Sequence, residues 1–172
     1  MRRSLVAALL AGLMMASTAF AAAEERIGTV DLQRAVTESR EGEVARADLL
    51  KKTEQLNAEL KLLLAEAEKM RAELEKESGK LAADEREEKQ RQLQKKAREF
   101  QLRQAEAQEE LKQLESAALK KIVARFGALL TQIGADGDYA AILDRKSGVF
   151  YAGKKTDVTP LLIQQADKEY RR

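Results

Sequence analysis

The sequence predicts an α+β protein, mostly α, in which a long antiparallel coiled-coil helical hairpin is attached to a small β-strand body built from both chain ends. Three observations carry this reading. Between Gly42 and Ile133 there is no proline and only two glycines, Gly79 and Gly127, so little interrupts a helix. Apolar residues over that span recur in alternating steps of three and four, and an average near 3.5 keeps one narrow stripe against one partner helix. Beyond residue 23 the aromatic residues are Phe100, Phe126, Tyr139, Phe150, Tyr151 and Tyr170; only Phe100 lies well inside the arms, so the compact core belongs to the ends.

Taken in order, Met1-Arg2-Arg3 precedes an uncharged run over residues 5–16, and Ala19-Phe20-Ala21 supplies the small-x-small pattern that signal peptidase reads. A basic start, a short apolar run and such a site make residues 1–21 a secretory signal peptide, with cleavage at 21 to 23. The run is too short to span a membrane comfortably. The whole chain carries 31 Lys+Arg against 29 Asp+Glu. Arg2 and Arg3 leave with the signal, so the mature chain balances and has no basic excess for binding nucleic acid. Without cysteine, it owes nothing to disulfides and is indifferent to an oxidising compartment.

Residues 24–38 form the first part of the body. Arg26-Ile27-Gly28-Thr29-Val30 alternates as a short strand, and Asp31 caps a short helix through Leu32, Ala35 and Val36. Residues 39–133 are the arm. Its seam on the outgoing helix is Leu49, Leu56, Leu60, Leu63, Ala67, Met70 and Leu74. On the returning helix it is Leu93, Ala97, Phe100, Ala107, Leu111, Leu114 and Ala118, with Gln104 in a seam slot, where it either fixes register or marks a hydrated section. Past Ala118 the steps lengthen through Ile122, Phe126, Leu129 and Ile133. This stutter should unwind the supercoil where the arms meet the body.

The tip falls near residues 79–83. Ser78-Gly79 places a glycine where a helix ending needs a left-handed residue, and Asp84 with Glu87 reads as a capping box for the second helix. Charges of both signs interleave along the arms, as in Glu66-Ala67-Glu68-Lys69 and Arg86-Glu87-Glu88-Lys89, which reads as a solvated face with i,i+4 pairs. Leu62 and Leu102 lie well off the seams, and Leu50 and Leu64 sit at the seam edge.

Residues 134–172 complete the body. Asp136-Gly137-Asp138 reads as a turn, since a calcium loop would need further oxygen ligands and a closing glutamate. Residues 139–143 read as a buried strand, and Val149-Phe150-Tyr151-Ala152 as its partner in a β-hairpin. Thr159 followed by Pro160 is an N-cap with proline at the first helical position, opening a last helix to Tyr170. Three strands are too few to cover both faces of a sheet, so other subunits should complete it. Ile27, Val30, Ile142, Leu143, Val149 and Tyr151 are the residues of that shared body.

No catalytic, metal or cofactor-binding residue is assigned. The chain has no histidine, no Gly-x-Ser-x-Gly turn and no phosphate-cradling glycine loop, so it is not read as an enzyme.

Ile27-Gly28-Thr29-Val30-Asp31-Leu32-Gln33-Arg34, the Glu41-Gly42 helix start, the run Lys89-Gln90-Arg91-Gln92-Leu93-Gln94-Lys95-Lys96 with Glu99-Phe100-Gln101, and Tyr139-Ala140-Ala141-Ile142-Leu143-Asp144 together resemble the Skp/OmpH family of periplasmic chaperones. The resemblance runs over essentially the whole mature chain. It implies a jellyfish-shaped homotrimer in the periplasm, with strands from three subunits forming a body and three hairpins reaching out as tentacles around a cavity. It also implies the activity: holding unfolded outer-membrane proteins without ATP until they are inserted. Leu50, Leu62, Leu64 and Leu102 are then the candidates for contact with such clients. The family's basic tentacles imply contact with lipopolysaccharide or anionic lipid. Here residues 77–96 mix six basic with five acidic side chains, which weakens the case for lipid contact at the tips. The alternative readings are a structural coiled-coil spacer or an adaptor of the cell envelope. An adaptor needs a lipoyl-like or barrel domain beside its hairpin, which the short segment before the arm cannot supply.

Overall fold

The computed structural model describes residues 26–170, so the signal-peptide expectation lies outside the described residues. The elements are β1 (Arg26–Val30), α1 (Leu32–Glu38), α2 (Arg40–Glu77), α3 (Ala83–Asp136), β2 (Tyr139–Asp144), a 3-10 turn (Lys154–Thr156) and α4 (Thr159–Glu169). With 38 and 54 residues, α2 and α3 are about 57 Å and 81 Å long at the standard helical rise.

Local chemistry explains the start of the arm. Asp31 caps α1 by accepting from the Arg34 N–H at 2.9 Å. One residue separates α1 from α2, and that residue, Ser39, caps α2 by accepting from the Gly42 N–H at 3.2 Å. The bend is so tight that a Cβ on Gly42 would lie 1.7 Å from the Val36 carbonyl oxygen. Only glycine fits.

At the tip two expectations are corrected. Ser78 keeps right-handed helical angles and Gly79 does not take a positive φ. Instead the Glu77 carbonyl accepts the N–H groups of Lys80 and Leu81 at 2.8 and 3.2 Å, a tightened turn that needs no left-handed residue. Nor is Asp84 the cap of α3. Ala82 holds that position, and Glu85 accepts from its N–H at 3.2 Å. Alanine has no side-chain acceptor to return, so half a capping box forms, two residues ahead of the expected one.

The long helix runs to Asp136, past the expected limit at 133, and Asp138 (φ 51°) turns the chain into β2. Arg26 serves this end of α3: its Nη1 donates to the Gly137 carbonyl at 3.0 Å, and its guanidinium lies 4.6 Å from the Tyr139 ring centre. β1 and β2 pair in parallel, with Gly28 opposite Ile142 and Val30 opposite Asp144. The other side of β1 is covered by the segment at Asp157, where the Val158 N–H donates to the Thr29 carbonyl at 2.9 Å.

The expected β-hairpin does not form. After β2 the Arg145 N–H donates to the Val30 carbonyl and the Ser147 N–H to Asp144, and residues 149–152 lie outside any strand. Phe150 and Tyr151 are almost wholly exposed, so within one chain this segment has no apolar face to hold it in a ladder. The Thr159 expectation also changes. Its hydroxyl is buried and accepts from the Asp31 N–H at 2.9 Å, while its own N–H donates to Asp157 Oδ1 at 2.9 Å. Val158 precedes the helix as its cap, and Thr159 ties the two chain ends together.

The core gathers Val30, Ala35, Ile122, Phe126, Leu129, Ile133, Val158, Leu162 and Ala166. Its α3 members are the stutter residues. Past Ala118 the stripe on α3 turns from α2 toward β1, α1 and α4, so the change of step marks a change of packing partner. Of the residues read as a shared body, Val30 spends its side chain in this chain's own core and Ile142 packs against it. Val149 is half-buried, whereas Ile27 and Leu143 are exposed on the sheet and Tyr151 is exposed beyond it.

Candidate functional site

The arm is a thin structure. Leu56 and Ala107 are its buried seam residues; Leu49, Leu60, Leu63, Met70, Leu74, Leu93, Phe100 and Leu111 are half-buried. Two seam assignments change. Leu114 is 41% exposed, at the rim of a cleft of about 340 Å³ where the stutter opens the feet of α2 and α3, lined by Ala45, Leu49, Ala118 and Ile122 among others. Gln104 is exposed, so it does not set register from inside the seam.

Register is instead marked by charge. Lys52 pairs with Glu110 at 2.6 Å, Glu59 with Arg103 at 2.7 Å through both carboxylate oxygens, and Glu66 with Lys96 at 3.0 Å. Each step of seven residues up α2 is matched by seven down α3, so the helices run in opposite directions with one edge laced by ion pairs. Lys89, one step further, reaches Glu77 at 2.5 Å. The expectation of purely local i,i+4 pairs therefore holds for Arg71–Glu75 and Arg91–Glu87 but not for Glu66 or Lys89, which cross between the arms. The signal was present in the sequence as opposite charges at matching heptad positions.

These pairs perturb titration. The hydrogen bond from Arg103 holds the Glu59 carboxyl below the usual glutamate range, and Lys89 does the same to Glu77. Lys89 is raised by Glu77, Lys96 by Glu66 and Glu99, and Arg103 by Glu59. In the body, burial pushes the Asp157 carboxyl up, but hydrogen bonds from Thr159 and the nearby Arg34 and Arg145 outweigh it and leave it lowered. A carboxyl lowered by folding contributes stability above its unfolded value, near 4, and loses it as pH falls through the folded value. Urea midpoints should therefore be level from pH 7 to about 5 and fall below about 4. A profile level down to pH 2.5 would show that these pairs carry no linkage.

The four leucines proposed from the sequence are all exposed: Leu62 at 68%, Leu102 at 62%, Leu50 at 60% and Leu64 at 42%. They do not form one patch. Leu50 and Leu64 are two heptads apart and share an edge, while Leu62 and Leu102 lie on other faces.

A second cluster escaped sequence reasoning. At the arm's foot Glu41 is buried and accepts from Arg125 Nη1 at 2.8 Å, and Arg125 Nη2 donates to the Ala166 carbonyl at 3.0 Å. The same guanidinium lies 5.7 Å from the Tyr170 ring centre, and Asp167 accepts from the Arg40 N–H at 2.8 Å. Both feet are thus tied to α4, a contact between residues too far apart in sequence for periodicity to reveal. Among the described residues no cluster of acidic side chains is placed to hold a metal ion, and no helix is long and apolar enough to cross a membrane.

Residues 26–165 match the family described as outer membrane protein (OmpH-like), and that span takes in both arms and nearly the whole body. The chain belongs to the OmpH-like family. Among solved structures, it is similar to a protein of Caulobacter crescentus CB15 proposed to be an outer membrane chaperone (OmpH-like). The two share a TM-score of 0.80 and 24% identity, over 85% of this chain and 86% of that one, a likeness of fold. No curated protein sequence matches this OmpH-like chain significantly.

Proposed function

We propose that this protein is an ATP-independent holding chaperone of the periplasm, which keeps unfolded outer-membrane proteins soluble in a cavity between coiled-coil arms. The observation that carries the reading is the division of labour along the chain. Among the described residues, all but two of the buried apolar ones lie at the feet and in the body, while the arms extend for tens of ångströms with large leucines in water. Such arms have few tertiary contacts and can yield to clients of different size. Binding is then many weak contacts acting together rather than one deep pocket. Membership of the OmpH-like family and the proposal made for the Caulobacter protein point the same way.

One pair of arms encloses nothing, so the reading includes a homotrimer joined at the body. Support comes from the free edge of β2 and from Ile27, Leu143, Phe150 and Tyr151 exposed around the sheet. A trimer of the mature chain has a mass of roughly 50 kDa, somewhat under three times the 19.2 kDa of the whole chain. An envelope spacer would need no such cavity and would bind no unfolded chain.

The test is dilution of a urea-unfolded outer-membrane β-barrel into the purified mature protein without nucleotide. A soluble complex is expected; unchanged precipitation would overturn the reading.

A further inference from the structure

The two edges of the arm differ in kind. Along one edge run the ion pairs, where each charged side chain has a partner on the opposite helix and Lys96 and Arg103 also pair along α3. On α2, Leu50, Asn57 and Leu64 each stand two places before a residue of that ladder. On α3, Gln94, Gln101 and Gln108 do the same. Two places around a helix carries a side chain past the seam to the other edge, so these six share one stripe, uncharged between Arg71 and Glu87 toward the tip and Glu43 and Glu115 toward the body.

All six are exposed. Gln92 and Gln113, elsewhere on α3, donate to Glu88 and Glu109 at 3.1 and 2.9 Å. The amides of Asn57, Gln94, Gln101 and Gln108, by contrast, have no hydrogen-bond partner among the described residues.

We infer that this neutral edge is the surface that touches an unfolded client, and that it takes an extended, uncharged stretch of polypeptide. The inference rests on the holding function proposed above. Amide side chains both donate and accept, which matches the paired N–H and C=O groups of a main chain in any sequence. Leu50 and Leu64 offer apolar contact to the alternating side chains of a future β-strand. The charge character fits as well: an edge without formal charge does not exclude a neutral segment, and the balanced ladder opposite has no spare charge with which to compete.

The experiment measures the concentration of mature protein that half-suppresses turbidity when a urea-unfolded outer-membrane β-barrel is diluted. The triple variant Gln94→Glu, Gln101→Glu, Gln108→Glu should need about tenfold more protein, because three fixed charges oppose burial against a neutral main chain. A ladder swap, Glu59→Arg with Arg103→Glu, should stay within about twofold of the parent, since it restores its own pair. Failure of the parent protein to suppress turbidity would remove the holding function itself. A parent that holds and a triple variant that holds equally well would remove only this inference. Helicity and melting temperature of the triple variant should match the parent. As a measurement independent of those substitutions, a benzophenone cross-linker at position 101 should capture client while one at position 106 captures little. Equal capture at both, or capture of a second copy at 101 without client, would overturn the assignment.

Discussion

Gly42→Ala will destabilise the protein by about 3 kcal/mol or more, among the largest single-residue effects expected in the chain. The added Cβ would sit 1.7 Å from the Val36 carbonyl oxygen, and it meets backbone rather than the end of a flexible side chain. Either the last turn of α1 or the first turn of α2 must move, and with it the Ser39 cap and the buried Glu41 that anchors Arg125. Urea denaturation at one fixed protein concentration measures this. An unchanged midpoint would mean that the junction is soft and does not set the angle at which the arm leaves the body.

Phe126→Ala should cost about 3–5 kcal/mol. Phe126 is fully buried, and it occupies the place where the apolar stripe of α3 leaves the arm and enters the body. Its removal leaves a cavity lined by neighbours held by β1, α1 and α4, which have little freedom to collapse into it. The loss should appear as a lowered midpoint with the arm's far half unaffected, so hydrogen exchange ought to accelerate in the body and hardly change near residues 60–75 and 90–105. A loss below about 1 kcal/mol would show that the core closes over the gap.

What could be read from the sequence divides along a physical line. Periodicity is a local property, and it marked two long helices, the seam from Leu49 to Leu74 and the change of step after Ala118. The small caps were read less well. Gly79 and Asp84 have the right chemistry for a helix end and a helix start, yet the chain turned a few residues differently because carbonyl and amide groups found other partners. Thr159 was read as a cap by its neighbour Pro160, whereas the folded chain uses its hydroxyl to hold Asp31. The Val149–Ala152 segment, expected as a strand, is apolar enough to pair, but within the chain it finds no neighbour to pair with. Least legible were contacts distant in sequence: Glu41 with Arg125, and the ladder whose charges looked like ordinary surface pairs until the helices were laid side by side.

The laced edge also limits how such an arm can change length in evolution. One inserted residue low on α2 would turn everything beyond it by about 100° and put Ala58 and Ala65 where the rungs Glu59 and Glu66 now stand. Removing seven residues from each helix together would instead shorten the reach by about 10.5 Å and leave every remaining rung and the neutral stripe in place. The arm is thus free to lengthen or shorten, in whole heptads taken in pairs.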